Sequence, residues 1–562
     1  MSGLRMAPWL VASVTAIAFF ALVAQADAQT YTVTNLSDSG VAGDGSLRGE
    51  IRAANANPGP DTIAFAAGVS GLLVINGSGF VIDDSVDIEG PGAEGLTIEQ
   101  IASKHRVFQI KLGEPGAVTL AGMTIRGGDS EGPGGDIENT LGPVAALTVS
   151  GCRVIYGYAA EDGGGIDSVN QPLTVRASAI EENETGESGG GIWAGGNQPI
   201  RIEDSTIAGN ISTYGGAGLF GGSEAGTSTV ISDSTVSGNH ALLAGGGANL
   251  SIYGGATLAI SNSTFVGNRT GTWGGAIALA SIGPATIEGT TIVGNEAEAN
   301  SNAAGGLEGF GPAPVQLIDT IVAGNKSPHT TSPDIGGAWN SAFSLIGDPT
   351  GATIAETVPG SDLIGVDPQL GPLGANGGPT ATMAPSPGSP VVNKGGGTLG
   401  TDQRGDPRPV VFPGVALSAA PGANGADIGA VELQAPPPPA GESSRPGSST
   451  PPPPTKASPI GPRVRVSCPK SAKPGGCHFA VQAVSAKPRP QGKGGHARAE
   501  APQPESAVAR VKLGPGGSAL LTLTPKPKYA ARLLAARRVL VREVATIGGV
   551  GHTTYRRLAT VG

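Results

Sequence analysis

Cysteine is nearly missing from this chain: there are three in 562 residues. Aromatic residues make up 4% and charged residues 14%. So few rings argue against a conventional aromatic-rich core. Six histidines, at 105, 240, 329, 478, 496 and 552, show no metal-binding spacing. There is no Gly-x-Ser-x-Gly elbow and no P-loop. After the first 28 residues no apolar run approaches the roughly 18 residues that a membrane-spanning helix needs.

What is abundant is glycine, 93 residues, and proline, 46. The glycines keep no G-X-Y register, which excludes collagen. A hydrophobic fraction of 39% excludes a wholly disordered chain. Many short strands and turns remain. The charge is unevenly placed. From Pro436 onward there are 20 Lys and Arg against 4 Asp and Glu, so +16; the rest carries 15 against 41, so −26. An acidic body and a basic tail imply separate domains with different partners.

Residues 1–28 read as a secretory signal: Arg5, an apolar run from Ala7 to Val23, and the small residues of Ala26-Asp27-Ala28. The chain is therefore expected to be secreted or extracellular, free or held at a cell surface, in a compartment that permits disulfides.

A repeat dominates the middle. Asp204-Ser-Thr-Ile-Ala-Gly-Asn210 recurs at Asp233–Asn239, Asn262–Asn268, Gly289–Asn295 and Asp319–Asn325, with a weaker copy at Ala177–Asn183. The asparagines Asn183, Asn210, Asn239, Asn268, Asn295 and Asn325 are 27, 29, 29, 27 and 30 residues apart. Paired glycines keep the same step, at 163–164, 189–190, 215–216, 245–246, 274–275 and 305–306. No repeat holds a helical pattern, and a propeller blade needs about 40 residues. The period fits one coil of a parallel β-helix, with strands stacked about 4.8 Å apart. Ile207, Val236, Phe265 and Ile292 share one repeat position and are expected to point inward. The asparagines are expected to form an internal ladder, amide to amide. Cys152 is expected to be a buried free thiol.

Before the repeat, Ser46 is a candidate N-cap, Leu47, Ile51 and Ala54 share a helical face, and Pro58 ends the helix. Residues 29–66 thus read as a cap and 67–325 as coils. Gly45-Ser46-Leu47-Arg48-Gly49-Glu50 resembles, without its cysteine, the Cys-Ser-Leu-Arg-Glu-Ala signature of bacterial secreted β-helix proteins. In 326–434, Asp367-Pro-Gln-Leu, Asn376-Gly-Gly-Pro-Thr, Pro387–Asn393, Asp402-Gln-Arg-Gly405 and Asp427–Glu432 look like the choice-of-anchor Q domain. These resemblances imply a pectin-lyase-like right-handed β-helix and export; they imply no particular reaction.

Two four-proline runs make 435–462 an extended linker. Residues 463–562 alternate like strands of a small immunoglobulin-like β-sandwich. Cys468 and Cys477 flank Pro474-Gly-Gly476 and are expected to form a disulfide. The basic tail is expected to bind an anionic wall polymer or acidic glycan.

For catalysis, a lyase needs a base and cations to hold a uronate. Between Gly127 and Asn325 only Arg153, Arg176, Arg201 and Arg269 are basic besides His240, at different offsets, against 20 Asp and Glu. That field repels a polyuronate unless Ca²⁺ bridges it; otherwise no cofactor, metal or nucleic acid is called for. A hydrolase needs paired carboxylates; Glu161 and Asp162, or Glu181, Glu182, Glu184 and Glu187, could supply them but also read as solvated turns. The expectation is a non-catalytic protein that binds glycan or a surface partner, the alternative a polysaccharide lyase or glycosidase. Acidic residues at equal offsets in adjacent coils would favour the alternative. Tyr214 and Trp273, each just before a glycine pair, are the candidate sugar platforms, expected on one face two coils apart.

Overall fold

The computed structural model describes residues 28–434, apart from 225, 299–302, 312–314 and 328–332; beyond 462 it describes the backbone of six strands. The chain divides into two compact units, Met1–Pro439 and Ala440–Gly562. The expected signal segment, the proline-rich linker and Cys468 lie outside the described residues.

The first unit is a parallel β-helix, its coils wound in the right-handed sense that parallel crossovers take. One coil passes through Ile200–Glu203 on a first sheet, Thr206–Ala208 on a second, the two-residue strand Ile211–Ser212, and Leu219–Ser223 on a third. Each strand pairs in parallel with its counterpart one coil on, Ile207 with Val236, Val236 with Phe265 and Phe265 with Ile292. These four side chains are buried inside the coil, as the repeat phase predicts. Few aromatics are needed because a coil's interior is narrow and is filled mostly by aliphatic residues, such as Ile200 and Ile202 on the first sheet and Ile207 on the second.

Turn chemistry explains the repeat's other letters. Ala177, Asp204, Asp233, Asn262 and Asp319 have φ between +47° and +52° or, for Asn262, +45°, and Gly289 holds the same slot at +56°. Asp, Asn and Gly tolerate that left-handed turn best. The next residue forms an internal hydroxyl ladder: Ser178 N–H donates to Ser205 Oγ (3.2 Å), Ser205 N–H to Ser234 Oγ (3.1 Å) and Ser234 N–H to Ser263 Oγ (3.2 Å). Cys152 occupies the slot before these, its N–H on Ser178 Oγ at 3.1 Å. Burial pushes its thiol up to about 11, so it stays protonated.

At the N-terminal end the helix Leu47–Asn55 buries Leu47, Ile51 and Ala54, and Ser46 Oγ accepts the N–H of Gly49 at 3.0 Å. The helix covers the end of the core, and the strand Thr30–Val33 pairs with Asp61–Phe65.

From about 366 to 434 the chain runs back over the second sheet as a strap. Outward threonines of that sheet meet it: Thr264 Oγ1 donates to Gln403 Oε1 (2.6 Å), Gln403 Nε2 donates to Thr235 Oγ1 (3.0 Å), and Ala430 N–H donates to Thr291 Oγ1 (3.0 Å).

In the second unit, Arg463–Ser467 pairs antiparallel with Ser518–Thr522. Ala509–Leu513, Cys477–Ala483, Arg538–Ile547 and Val550–Ala559 form a second antiparallel sheet in that order.

Candidate functional site on the third sheet

The asparagines sit at the corner after the second sheet. Asn210 donates its backbone N–H and Nδ2 to Oδ1 of Asn239 (3.0 and 2.9 Å), and Nδ2 again to Ile180 O (2.9 Å). The pattern runs from Asn183 to Asn325, where Asp334 Oδ1 accepts both donors (2.7 and 2.9 Å). All six are buried, so this row offers nothing to a ligand.

Six residues after Gly157, Asn183, Asn210, Asn239 and Asn268 comes a left-handed glycine: Gly163, Gly189, Gly216, Gly245 and Gly274 have φ between +57° and +72°. The backbone there passes directly over the third sheet. A Cβ on Gly163 would lie 2.7 Å from Asp167 Cβ, and one on Gly189 would lie 2.7 Å from Trp193 Cβ. The residue two further on, a glycine or alanine, faces the ladder; a Cβ on Gly191 would meet Asn210 Nδ2 at 2.9 Å.

This phasing corrects one expectation. Gly215 pairs with Ala244, and Ala244 pairs with Trp273. The repeating glycine is Gly216, and Gly215 is an extra one before it. Tyr214 therefore lies one residue out of step with Trp273 and belongs with Leu243. Both rings are exposed, Tyr214 at 52% and Trp273 at 43%, in neighbouring columns rather than one.

Beneath the glycine turns runs a column of outward side chains on the third sheet. In register, coil by coil, it reads Gln109, Glu138, Asp167, Trp193, Phe220, Asn249, Ala278 and Glu308. Trp193 and Phe220 stack, centroids 5.9 Å apart and planes 12° from parallel. Further along, the Trp273 ring meets the exposed Phe310 edge-on, at 5.9 Å and 84°. Beside the column, Gly195, Gly222, Ser251 and Ala280 form a second register line of small residues that ends at Phe310. The face is thus a shelf of small residues with aromatic rings at two places along it.

The end towards the N-terminus is acidic. Glu138 and Asp167 are in register on adjacent coils, 5% and 2% exposed. Arg106 bonds Glu138 (Nη1, 2.8 Å), Ser130 Oγ (2.8 Å) and Pro133 O (2.9 Å). Asp167 Oδ1 has no hydrogen-bond partner. Burial first, then the charges of Asp162 and Glu138, push Asp167 up to about 8, against the pull of Arg106. Asp162 is half-buried and accepts Ser188 N–H at 2.9 Å; burial raises it above the usual carboxylate range.

The other candidates scatter. Glu181 pairs with Arg153 on the second sheet at 2.9 Å. Arg176 and Arg201 project from the first sheet, and Arg269, on the short strand Arg269–Thr270, pairs with Glu298. Glu184 lies on the short strand after Asn183. Among the described residues no group of His, Cys, Asp and Glu is arranged to hold a metal ion.

The 326–434 motif residues serve the strap instead. Asp402 Oδ2 accepts from Arg404 (2.7 Å) and from Glu432 N–H (2.9 Å), Glu432 Oε2 accepts Asp427 N–H (2.9 Å), and Asp427 Oδ1 accepts Asn393 N–H (2.7 Å). Buried Arg408 lies 3.4 Å from Glu432.

Sequence reasoning missed Arg106, Glu138, Asp167, Trp193 and Phe220. The six-residue step from asparagine to glycine, then four residues to the outward column, would have found the last three.

No family model and no curated protein sequence matches the chain. Among the solved structures similar to it are two. A pectate lyase, Pel9A, is 14% identical and is matched over 73% of this chain and 97% of its own, at a TM-score of 0.37. The A-module of the Azotobacter vinelandii mannuronan C-5 epimerase AlgE4 is 13% identical, over 59% of this chain and 98% of its own, at 0.31. Likenesses of this degree bring no residue roles to the chain.

Proposed function

We propose that the protein is an exported glycan-binding protein that holds a polysaccharide along the outer face of the third sheet. The observation that carries this is the paired placement of rings, Trp193 with Phe220 and Trp273 with Phe310, along one shelf of small residues. Sugar rings have apolar faces and polar edges, and aromatic side chains match both. Five coils, from Trp193 to Phe310, at about 4.8 Å per step give a shelf on the order of 19 Å long. The acidic surface disfavours polyuronates, so a neutral or basic polymer is the ligand class.

Export rests on the signal-like segment 1–28. Surface retention rests on the basic tail, which would bind anionic wall polymer in a salt-sensitive way, and on the resemblance of 326–434 to choice-of-anchor Q. Among the described residues no helix is long and apolar enough to cross a membrane.

The hydrolase alternative has one observation in its favour, Glu138 and Asp167 at equal offsets on adjacent coils. Burial under the glycine turns and the Arg106 pairing work against it, because a catalytic carboxyl must reach the glycosidic oxygen. Incubation with a polysaccharide panel should yield no new reducing ends or unsaturated products. Turnover abolished by Asp167→Asn would replace the binding function with the hydrolytic one.

Tryptophan fluorescence tests the binding face. After residue 28 the tryptophans are Trp193, Trp273 and the buried Trp339. A bound polysaccharide should change the emission of the first two, and the change should vanish in Trp193→Phe with Trp273→Phe. Emission unaltered by every polymer of the panel would contradict the proposal.

A further inference from the structure

We infer that removal of residues 1–28 completes an ion pair: the α-ammonium freed at Gln29 docks on the buried carboxylate of Asp61 and locks the N-terminal strand in place. This rests on the reading of 1–28 as a cleaved signal and is independent of glycan binding.

Three observations meet at this nitrogen. The first is a contact already made. Gln29 N–H donates to Asp61 Oδ1 at 2.9 Å, and Thr62 N–H on the same neighbouring strand donates to Gln29 O at 2.8 Å. Hydrolysis of the Ala28–Gln29 bond adds water across it, leaving a carboxylate on Ala28 and an ammonium on Gln29 at the position the amide nitrogen holds. Both residues are exposed, so the bond is open to a peptidase. The second is an incompletely satisfied carboxylate. Asp61 is 3% exposed, and its Oδ1 also accepts Asn57 Nδ2 at 2.9 Å, but its Oδ2 has no hydrogen-bond partner. None of the ion pairs among the described residues includes Asp61. Native proteins rarely orphan a buried carboxylate oxygen. The uncleaved amide brings one N–H and no charge; an ammonium brings three and a full charge. The third is the strand's place. Thr30–Val33 pairs on one side only among the described residues, with Asp61–Phe65, and buries Val33 at the end of the core. A terminal strand frays unless it is tied down, and a loose edge invites pairing with other chains. Ion pairs between exposed groups do little. Here one member is buried, and a charge-assisted hydrogen bond is roughly twice as strong as a neutral one. The precursor therefore holds its first strand weakly until 1–28 has been removed.

Mass spectrometry of the exported chain should find its first residue to be Gln29; any other start would overturn the inference together with the cleavage reading. Full chains beginning at Gln29 and at Ala28 are then compared by hydrogen exchange near pH 6, about two units below where an α-amine loses its proton. The Thr62 amide, bonded to Gln29 O, should exchange at least about ten-fold more slowly in the chain that begins at Gln29, the usual weight of a charge-assisted hydrogen bond. In Asp61→Asn the ratio between the two starts should fall to about one; comparing ratios cancels any general loss of stability. Equal exchange in the two parental chains, or a ratio that survives Asp61→Asn, would overturn the ion pair and leave cleavage standing. A second measurement does not need that variant to fold. An N-terminal glutamine cyclises when its free amine attacks the side-chain Cδ and expels Nε2 as ammonia. A protonated, paired amine is no nucleophile. Native Gln29 should therefore cyclise at least about ten-fold more slowly than the same chain in denaturant, read as the mass lost with ammonia. Equal rates would also overturn the pair.

Discussion

At the residue scale, Asn239 shows what a buried amide does in this molecule. Its Oδ1 accepts two donors from Asn210, while its own Nδ2 serves Asn268 and the Ile207 carbonyl. Asn239→Ala leaves these groups unpaired on both sides, and should lower stability by about 1–3 kcal/mol. Chemical denaturation checks this; an unchanged midpoint and slope would contradict it. Where the ladder reaches Gly157 the asparagine is missing, and Asp136 fills the gap, its Oδ1 accepting Gly128 N–H at 2.8 Å. Burial holds the Asp136 carboxyl well above the usual range, so the native state binds its proton more tightly than the unfolded chain does. The unfolded chain releases that proton above about pH 4, so parental stability falls as pH rises beyond there. Asp136→Asn has no proton to lose. Its stability relative to the parent should therefore rise as the pH is raised above about 4. A gap independent of pH would show that Asp136 is charged in the fold.

At the scale of elements, the strap is held by polar groups. Gln403 spans Thr235, Thr264 and Thr380 with both ends of its amide, the last at 2.9 Å. Arg408 is buried beside Glu432 and donates to the Gly429 carbonyl at 2.9 Å. Removing one member of a buried charged group strands the rest, so Arg408→Met should cost about 3–5 kcal/mol. Limited proteolysis should then cut within 366–434 before the coils. Parental resistance there would show that the strap does not depend on this arginine. The strap's residues stood out in the sequence as motifs, yet their spacing could not reveal that they bond to one another and to the second sheet. The ladder was legible because one letter recurs at one step. The outward column was not, because Glu138, Asp167, Trp193, Phe220 and Asn249 share a position and no chemistry. Arg106 precedes the regular repeat altogether. The Tyr214 slot was misread for a similar reason: an extra glycine imitates the repeating one, and only the count from Asn210 separates them.

At the scale of the whole coil stack, several carboxyls are buried with their affinity for protons raised. Asp167 is pushed up to about 8, Glu432 to about 7 and Asp427 to about 6, burial being the first cause in each. A raised carboxyl contributes stability that is complete below its unfolded value of about 4 and is lost as pH rises through its folded value. Calorimetry should therefore show a higher melting temperature at about pH 5 than at about pH 8. Asp44 and Glu356, whose affinities are lowered, act below about pH 4 and leave this window unaffected. A melting temperature that falls on acidification from pH 8 to pH 5, about the span of these groups, would contradict the burial of these carboxyls in the native state.

The outer face of the third sheet is most directly tested by affinity electrophoresis of the full chain through gels containing neutral or amine-bearing polysaccharide. The parent should be retarded, and Trp193→Ala with Trp273→Ala should migrate freely while melting at the parental temperature. Retardation that persists in that variant, or a parent that no such polysaccharide retards, would show that this face does not bind glycan.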